Sequence, residues 1–161
     1  MALLPFAGIA FLWFLGVIRD RLGDREDKFF ATVLLGSGLL FVAMLFASGA
    51  VASSLLSITN AGAEDPQLWA FGRRTAFTLI TTYGLRMAAV FTISVSTMAG
   101  RLGLLPRGLI AFGYLTALLL MVAVNVVPMF EVLFPAWVLT VSITILVHSF
   151  RGAPGTAAPT P

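Results

Sequence analysis

The chain has 161 residues, of which 59 % are hydrophobic and 11 % are charged, and its formal net charge at pH 7 is +3. A typical soluble domain carries about 25 % charged residues, so this composition argues against a soluble protein and indicates a membrane protein. The chain has no cysteine, which excludes disulfides, thiolate metal sites and thiol redox chemistry. The basic residues lie singly or in pairs at the ends of apolar runs, so they indicate membrane topology and not nucleic-acid binding.

The first apolar run is interpreted as a retained anchor and not as a cleaved signal peptide. It covers residues 2–18, which is just long enough to cross a bilayer, and no basic segment precedes it. It ends in Arg19-Asp20-Arg21, where a signal peptide would carry small residues. The loop that follows, up to Lys28, interleaves acidic and basic residues, so we expect a solvated loop that sets topology and not a metal site.

Four more apolar runs follow, at residues 29–56, 75–100, 109–127 and 132–150, and each is long enough to span. Before the third run, Pro66 marks a helix start, and we expect an interfacial helix there that continues into the run with Trp69 at headgroup level. The sequence therefore predicts an all-α fold, in which residues 1–151 form one polytopic transmembrane helical bundle with five spans. Residues 152–161, which are rich in Pro, Ala and Thr, are predicted to be a disordered tail.

The distribution of basic residues predicts the orientation of the bundle. With the amino terminus outside, seven basic residues lie on the inner side and two, Arg73 and Arg74, on the outer side. Because inner loops carry the excess of Lys and Arg, we predict an N-out, C-in protein of the cell (plasma) membrane. The same orientation places Glu131 outside, so Arg73, Arg74 and Glu131 form a candidate outer-face charge cluster. Its arginines are expected to contact phospholipid, with a substrate site as the alternative.

Arg86 is the one full charge inside the five apolar runs. It lies 11 residues after Thr75, which at about 1.5 Å per residue is near the middle of a ~30 Å hydrocarbon layer. A central Arg costs about 2.5–3.5 kcal/mol, which nearly cancels the roughly 2.4–4.8 kcal/mol that the run's Leu, Ile, Phe and Val residues contribute. The third span should therefore need packed neighbours. Two interpretations stay open: carbonyls and hydroxyls hold Arg86 and stabilise the bundle, or Arg86 marks a ligand, ion or proton path.

Small residues recur at every fourth position of the same run, at Gly84, Ala88, Thr92, Ser96 and Gly100. Side chains at this spacing lie on one helical face and allow close helix packing. Arg86 is two positions from Gly84, or roughly 200° around the helix, and lies on the other side. We therefore predict that one side of this helix packs against a helix, while the other faces a polar interior or a partner.

Several segments of the chain form a familiar pattern. They are Leu4–Phe14 (LPFAGIAFLWF), Gly16–Arg21 (GVIRDR), Phe29–Val33 (FFATV) and Leu85–Phe91 (LRMAAVF). This pattern resembles a group of small multi-span integral membrane proteins of actinobacteria, over most of the chain up to the tail. The resemblance implies a bacterial membrane protein but no activity, because the group has no assigned function. Such proteins often have a polar segment before the first span, so the native start could lie upstream of Met1.

Three classes of function are considered. The first is a non-enzymatic accessory or structural component that assembles with itself or with another membrane protein, which the small-residue faces and the marginal third span favour. The alternative is a small oligomeric transporter or channel for an anionic solute, which would use Arg86. A membrane enzyme is the least favoured, because no catalytic set is recognisable. No cofactor is expected, since the single histidine, His148, excludes haem ligation by two histidines of one chain.

Overall fold

The computed structural model describes residues 3–22, 28–60, 65–122 and 132–151. Its elements, in chain order, are α1 (Leu3–Leu22), α2 (Lys28–Asn60), α3 (Pro66–Thr78), a π-helical segment (Leu79–Gly84), α4 (Leu85–Arg101), α5 (Arg107–Val122) and α6 (Leu133–Arg151). Because α3, the π-helical segment and α4 are continuous, the described residues form five helical rods, and they contain no strand. The predicted all-α fold is confirmed. The predicted tail at 152–161 lies outside the described residues.

Three of these rods are long and apolar enough to cross a membrane. They are Leu3–Arg21, Phe29–Ile58 and Pro66–Arg101, whose most apolar windows have mean hydropathies of 1.6, 2.3 and 1.4. The last two rods contain the shorter apolar stretches Arg107–Val122 and Leu133–His148. Length and composition therefore indicate a membrane-embedded protein with three candidate spans. The predicted total of five spans and the predicted orientation stay predictions.

Local signals explain why two helix ends differ from the ends of the apolar runs. α1 continues past residue 18 to Leu22, and Arg19 and Arg21 lie in its last turn, where cations interact favourably with the helix dipole. α3 begins at Pro66, well before the third apolar run, because the Asp65 side chain accepts a hydrogen bond from the Gln67 backbone N–H at 2.9 Å. Proline is favourable at this first helical position, where its missing N–H would have no intrahelical partner.

α4 is the central helix of the bundle. In the rod that contains it, 44 % of the most apolar 18-residue window is buried inside the bundle. The corresponding share is 22 % for α1 and 28 % for α2. Its neighbours include α1, α2 and α5. A Cβ atom on Gly38 of α2 would lie 3.1 Å from Leu15 of α1 and 3.3 Å from Phe91 of α4, so this glycine permits the close approach of three helices.

An aromatic cluster joins four of the helices at the centre of the core. Phe91 of α4 is fully buried, and its ring centroid lies 5.2 Å from that of Phe11 in α1 and 6.4 Å from that of Trp137 in α6. Phe134 of α6 lies 4.9 Å from Phe41 of α2. Edge-to-face pairs of this kind add to the gain from burying apolar area, so the cluster contributes to holding α6 against α1, α2 and α4.

Replacement of Phe91 by alanine should destabilise the bundle by about 3–5 kcal/mol, because a fully buried ring is lost and a cavity remains. The matched control is Phe77→Ala, at a ring that is 58 % exposed, where the change should stay near ~0.5 kcal/mol. Unfolding by sodium dodecyl sulfate in mixed micelles, followed by circular dichroism, would measure both free energies. Equal losses for the two variants would contradict the position of Phe91 in the core.

Candidate functional site

Arg86 lies in the first turn of α4, directly after the π-helical segment. The wider winding of that segment is visible in its hydrogen bonds, because the backbone N–H of Leu85 donates to the carbonyl of Ile80, five residues earlier. π-helical turns inside α-helices are rare and often lie at functional sites. The π-helical segment therefore lies directly before the only charged residue of the third apolar run.

The Arg86 side chain is half-buried and makes a single hydrogen bond within the described part of the chain. Its Nη1 donates to the carbonyl oxygen of Thr82 at 2.6 Å, on the same rod. A guanidinium has five N–H donors, so this one bond leaves most of its capacity unused. The sequence has no Asp or Glu between residues 66 and 130, so no carboxylate from α3, α4 or α5 can neutralise the charge.

Arg86 belongs to the outward side of its rod. Tyr83, three residues earlier, is 56 % exposed, and Val90, four residues later, is partly exposed. Farther along this side, the Thr97 hydroxyl shares a hydrogen bond of 2.8 Å with the phenol of Tyr114 in α5. The outward side therefore carries a guanidinium and several hydroxyls on an otherwise apolar helix, a composition that does not suit contact with lipid chains alone.

The small-residue stripe lies mostly inside the bundle. Its first four residues are buried and its last is exposed: Gly84, Ala88, Thr92, Ser96 and Gly100. A Cβ atom on Gly84 would lie 3.5 Å from the Cβ of Met44 in α2, and one on Gly100 would lie 3.3 Å from Cδ1 of Ile110 in α5. The stripe therefore faces α2 at one end and α5 at the other, within the same chain.

The two arginines of the outer-face charge cluster lie on α3. Arg73 and Arg74 are exposed, and the guanidinium carbon of Arg73 lies 5.5 Å from the ring centroid of Trp69, in a cation–π contact. Together with Phe77 they border an open depression of about 370 Å³. Glu131 lies outside the described residues, so its pairing with either arginine stays a prediction.

A small cavity lies at the opposite end of the bundle, among α1, α4 and α6. Its walls are mainly apolar, including Val95 and Ile145, and Arg21 and His148 also line it. Its volume of about 60 Å³ is well below the roughly 300–1,000 Å³ that is typical of small-molecule pockets. His148, near the carboxyl end of α6, is exposed. This cavity therefore does not compete with Arg86 as the centre of the site.

Sequence reasoning missed three buried polar atoms. They are Ser96 Oγ, Thr116 Oγ1 and Trp137 Nε1, and none has a hydrogen-bond partner among the described residues. Ser96 is predicted above only as a packing residue. A signal was available at Trp137, because an indole N–H in the middle of an apolar run needs an acceptor when it is buried.

The chain matches no model of a known protein family, no curated protein and no solved structure. Its function therefore has to be argued from its own residues, among which Arg86 is the strongest candidate.

Replacement of Gly84 by leucine should destabilise the bundle by about 1–3 kcal/mol, because a larger side chain would push α2 away from the third rod. The control is Gly36→Leu in α2, where an added Cβ would meet nothing within 4 Å. Helix propensity rises in both variants, so the difference between them reports packing. Thermal unfolding in mild detergent would measure it, and a Gly84→Leu variant as stable as Gly36→Leu would contradict the close contact.

Proposed function

We propose that this protein is a non-enzymatic integral membrane protein, an accessory or structural component that assembles through the outward side of α4. Its partner is a second copy or another membrane protein of the bacterial plasma membrane. In this proposal all five rods cross the bilayer, with the amino terminus outside and the carboxyl terminus inside. The single observation that carries the proposal is that the described residues offer Arg86 only one hydrogen bond, on a half-exposed side of its helix.

The energetic argument starts from the cost of the charge. An Arg at the centre of a transmembrane helix costs about 2.5–3.5 kcal/mol, and one hydrogen bond to a carbonyl of its own helix recovers only about 0.5–3 kcal/mol. A partner helix that brings a carboxylate or several carbonyls to the guanidinium would satisfy the remaining donors in a region without water. The same partner would cover Tyr83 and the Thr97–Tyr114 pair, which lie on the same outward side.

The small-residue stripe supports this choice of side by elimination. It faces α2 and α5 of the same chain, so it is occupied by intramolecular packing. The remaining side of α4, around Arg86, is polar, and the described residues cover it only in part. A partner that binds there would complete the burial of the helix whose sequence is the least favourable for insertion alone.

The alternative is a small oligomeric transporter or channel for an anionic solute. It is favoured by the π-helical segment immediately before Arg86, since such segments often accompany functional sites. In this version the anion would first meet Arg73 and Arg74, both exposed on α3, and would then reach Arg86 deeper in the layer. Five helical rods are few for a transport path, so a pore between copies would be required.

The assembly proposal predicts that the protein purified in mild detergent from its native host carries a stoichiometric partner or a second copy. Arg86→Ala should weaken this association about 30-fold or more, because it removes one member of a buried charged contact. Arg107→Ala is the control, since Arg107 is exposed at the start of α5. Native mass spectrometry would identify and count what stays bound. A wild-type protein that is monomeric and free of partners would reject the proposal.

The transport alternative predicts anion flux in proteoliposomes that Arg86→Ala abolishes while the oligomer stays intact. Flux would be followed with a halide-sensitive dye enclosed in the vesicles. Flux that is the same in the wild type and in Arg86→Ala would reject a role of this residue in transport. Absence of flux from a wild type that binds a foreign subunit would favour the accessory role.

A further inference from the structure

The buried hydroxyl groups of the bundle fall into two kinds. The described part of the chain has six buried Ser and Thr residues, and four of them donate to a carbonyl of their own helix: Ser37, Thr81, Thr92 and Ser94. This back-bonding is the usual way to satisfy a hydroxyl inside an apolar helix. Ser96 of α4 and Thr116 of α5 make no such bond, although both are 0 % exposed. Their hydroxyls therefore need partners outside their own helices.

A third polar atom lies at the same junction. The indole Nε1 of Trp137 in α6 is fully buried and has no acceptor among the described residues. A Cβ atom built on Gly113 of α5 would lie 2.8 Å from this nitrogen and would overlap Ser96 Oγ. Thr116 follows Gly113 by three residues and lies on the same face of α5. Polar groups of α4 and α6 thus meet at Gly113 of α5, and the Thr116 hydroxyl lies about one turn farther along the same face of α5.

The chemistry of these groups restricts what could satisfy them. The indole N–H can only donate, whereas each hydroxyl can donate and accept, so the bound species must accept at least one hydrogen bond. Leaving three buried polar atoms without partners would cost far more than ordinary hydrogen bonds gain, and native proteins rarely tolerate it. A single bound species with two to four hydrogen-bonding sites would satisfy all three atoms.

Charge decides between an anion and a neutral molecule. The only cation within the five apolar runs, Arg86, precedes Ser96 by ten residues, or about 15 Å along the helix. Burying an ion without a nearby counter-charge has a large desolvation free energy, whereas ordering a water molecule costs only a small immobilisation entropy. A buried water typically makes about three hydrogen bonds, which matches the three groups available here.

We propose that a single water molecule binds between α4, α5 and α6, where it accepts from Trp137 Nε1 and exchanges hydrogen bonds with the hydroxyls of Ser96 and Thr116. Because Gly113 has no side chain, Ser96 Oγ and Trp137 Nε1 both lie close to the backbone of α5 at this site. The water fixes the rotation of α6 relative to α4 and α5, because hydrogen bonds are directional. The aromatic packing of Trp137 against Phe91 specifies this rotation less well, since apolar contacts are not directional.

The first test asks whether removing either hydroxyl speeds or slows unfolding of the protein. If the water is bound, Thr116→Val and Ser96→Ala each remove one of its partners, and both should speed unfolding in mixed micelles about five-fold. The double variant should be less than additive, because both hydroxyls bind one molecule. Thr92→Val is the control at a back-bonded hydroxyl and should change the rate less. Unchanged or slower unfolding of Thr116→Val and Ser96→Ala would show that the hydroxyls are unsatisfied and would overturn the proposal.

The second test observes the site directly. The chain has three tryptophans, so Trp13→Phe with Trp69→Phe leaves Trp137 alone, and both replaced rings are exposed. In nitrogen-15 spectra the remaining indole N–H should show a cross-peak to a long-lived water. Gly113→Ala should remove this cross-peak, whereas Gly108→Ala, where a Cβ meets nothing within 4 Å, should keep it. The lack of a cross-peak in the parent would overturn the proposal, and so would an indole signal that shifts when chloride is replaced by bromide.

Discussion

The arrangement of this protein depends on the desolvation of one guanidinium. Arg86 is the only charged residue within the five apolar runs, and within the described bundle it donates one hydrogen bond, to the Thr82 carbonyl. A helix with such a charge is barely favourable in a bilayer by itself, so it has to be held by its neighbours. The structure meets this requirement by making α4 the central helix, in contact with α1, α2 and α5.

The two sides of α4 meet different physical requirements. On the side of α4 that faces the bundle, small residues let α2 and α5 approach closely, and Phe91 connects this helix to the aromatic core. Close packing needs no polar group, and most hydroxyls on this side are satisfied by carbonyls of their own helix. On the outward side, the guanidinium of Arg86 and the phenol of Tyr83 are only partly covered. The described residues therefore cover the inward side of α4 almost completely and the outward side only in part, which is the basis of the proposed assembly.

The sequence predicted the parts of this structure that depend on hydropathy and on local capping. Long apolar runs predicted an all-helical protein, and Asp65-Pro66 predicted a helix start before the third run, as the Asp65 cap shows. The π-helical segment was not predicted, because such segments are rare and no residue pattern at positions 79–84 indicated one. The junction at Gly113 was missed for a similar reason, since Ser96, Thr116 and Trp137 come from three separate helices and only the packing brings them together.

The two polar sites of the bundle differ in charge, and this difference separates their roles. At the junction of α4, α5 and α6 the groups are neutral, so one small neutral molecule can satisfy them inside a single chain at little cost. The guanidinium of Arg86 cannot be satisfied in that way, because water adds dipoles but no counter-charge and the apolar runs contain no carboxylate. The neutral junction can therefore belong to folding of the single chain. Both proposed functions would supply Arg86 with a counter-charge or further acceptors, the accessory role through a second chain and the transport role through an anion.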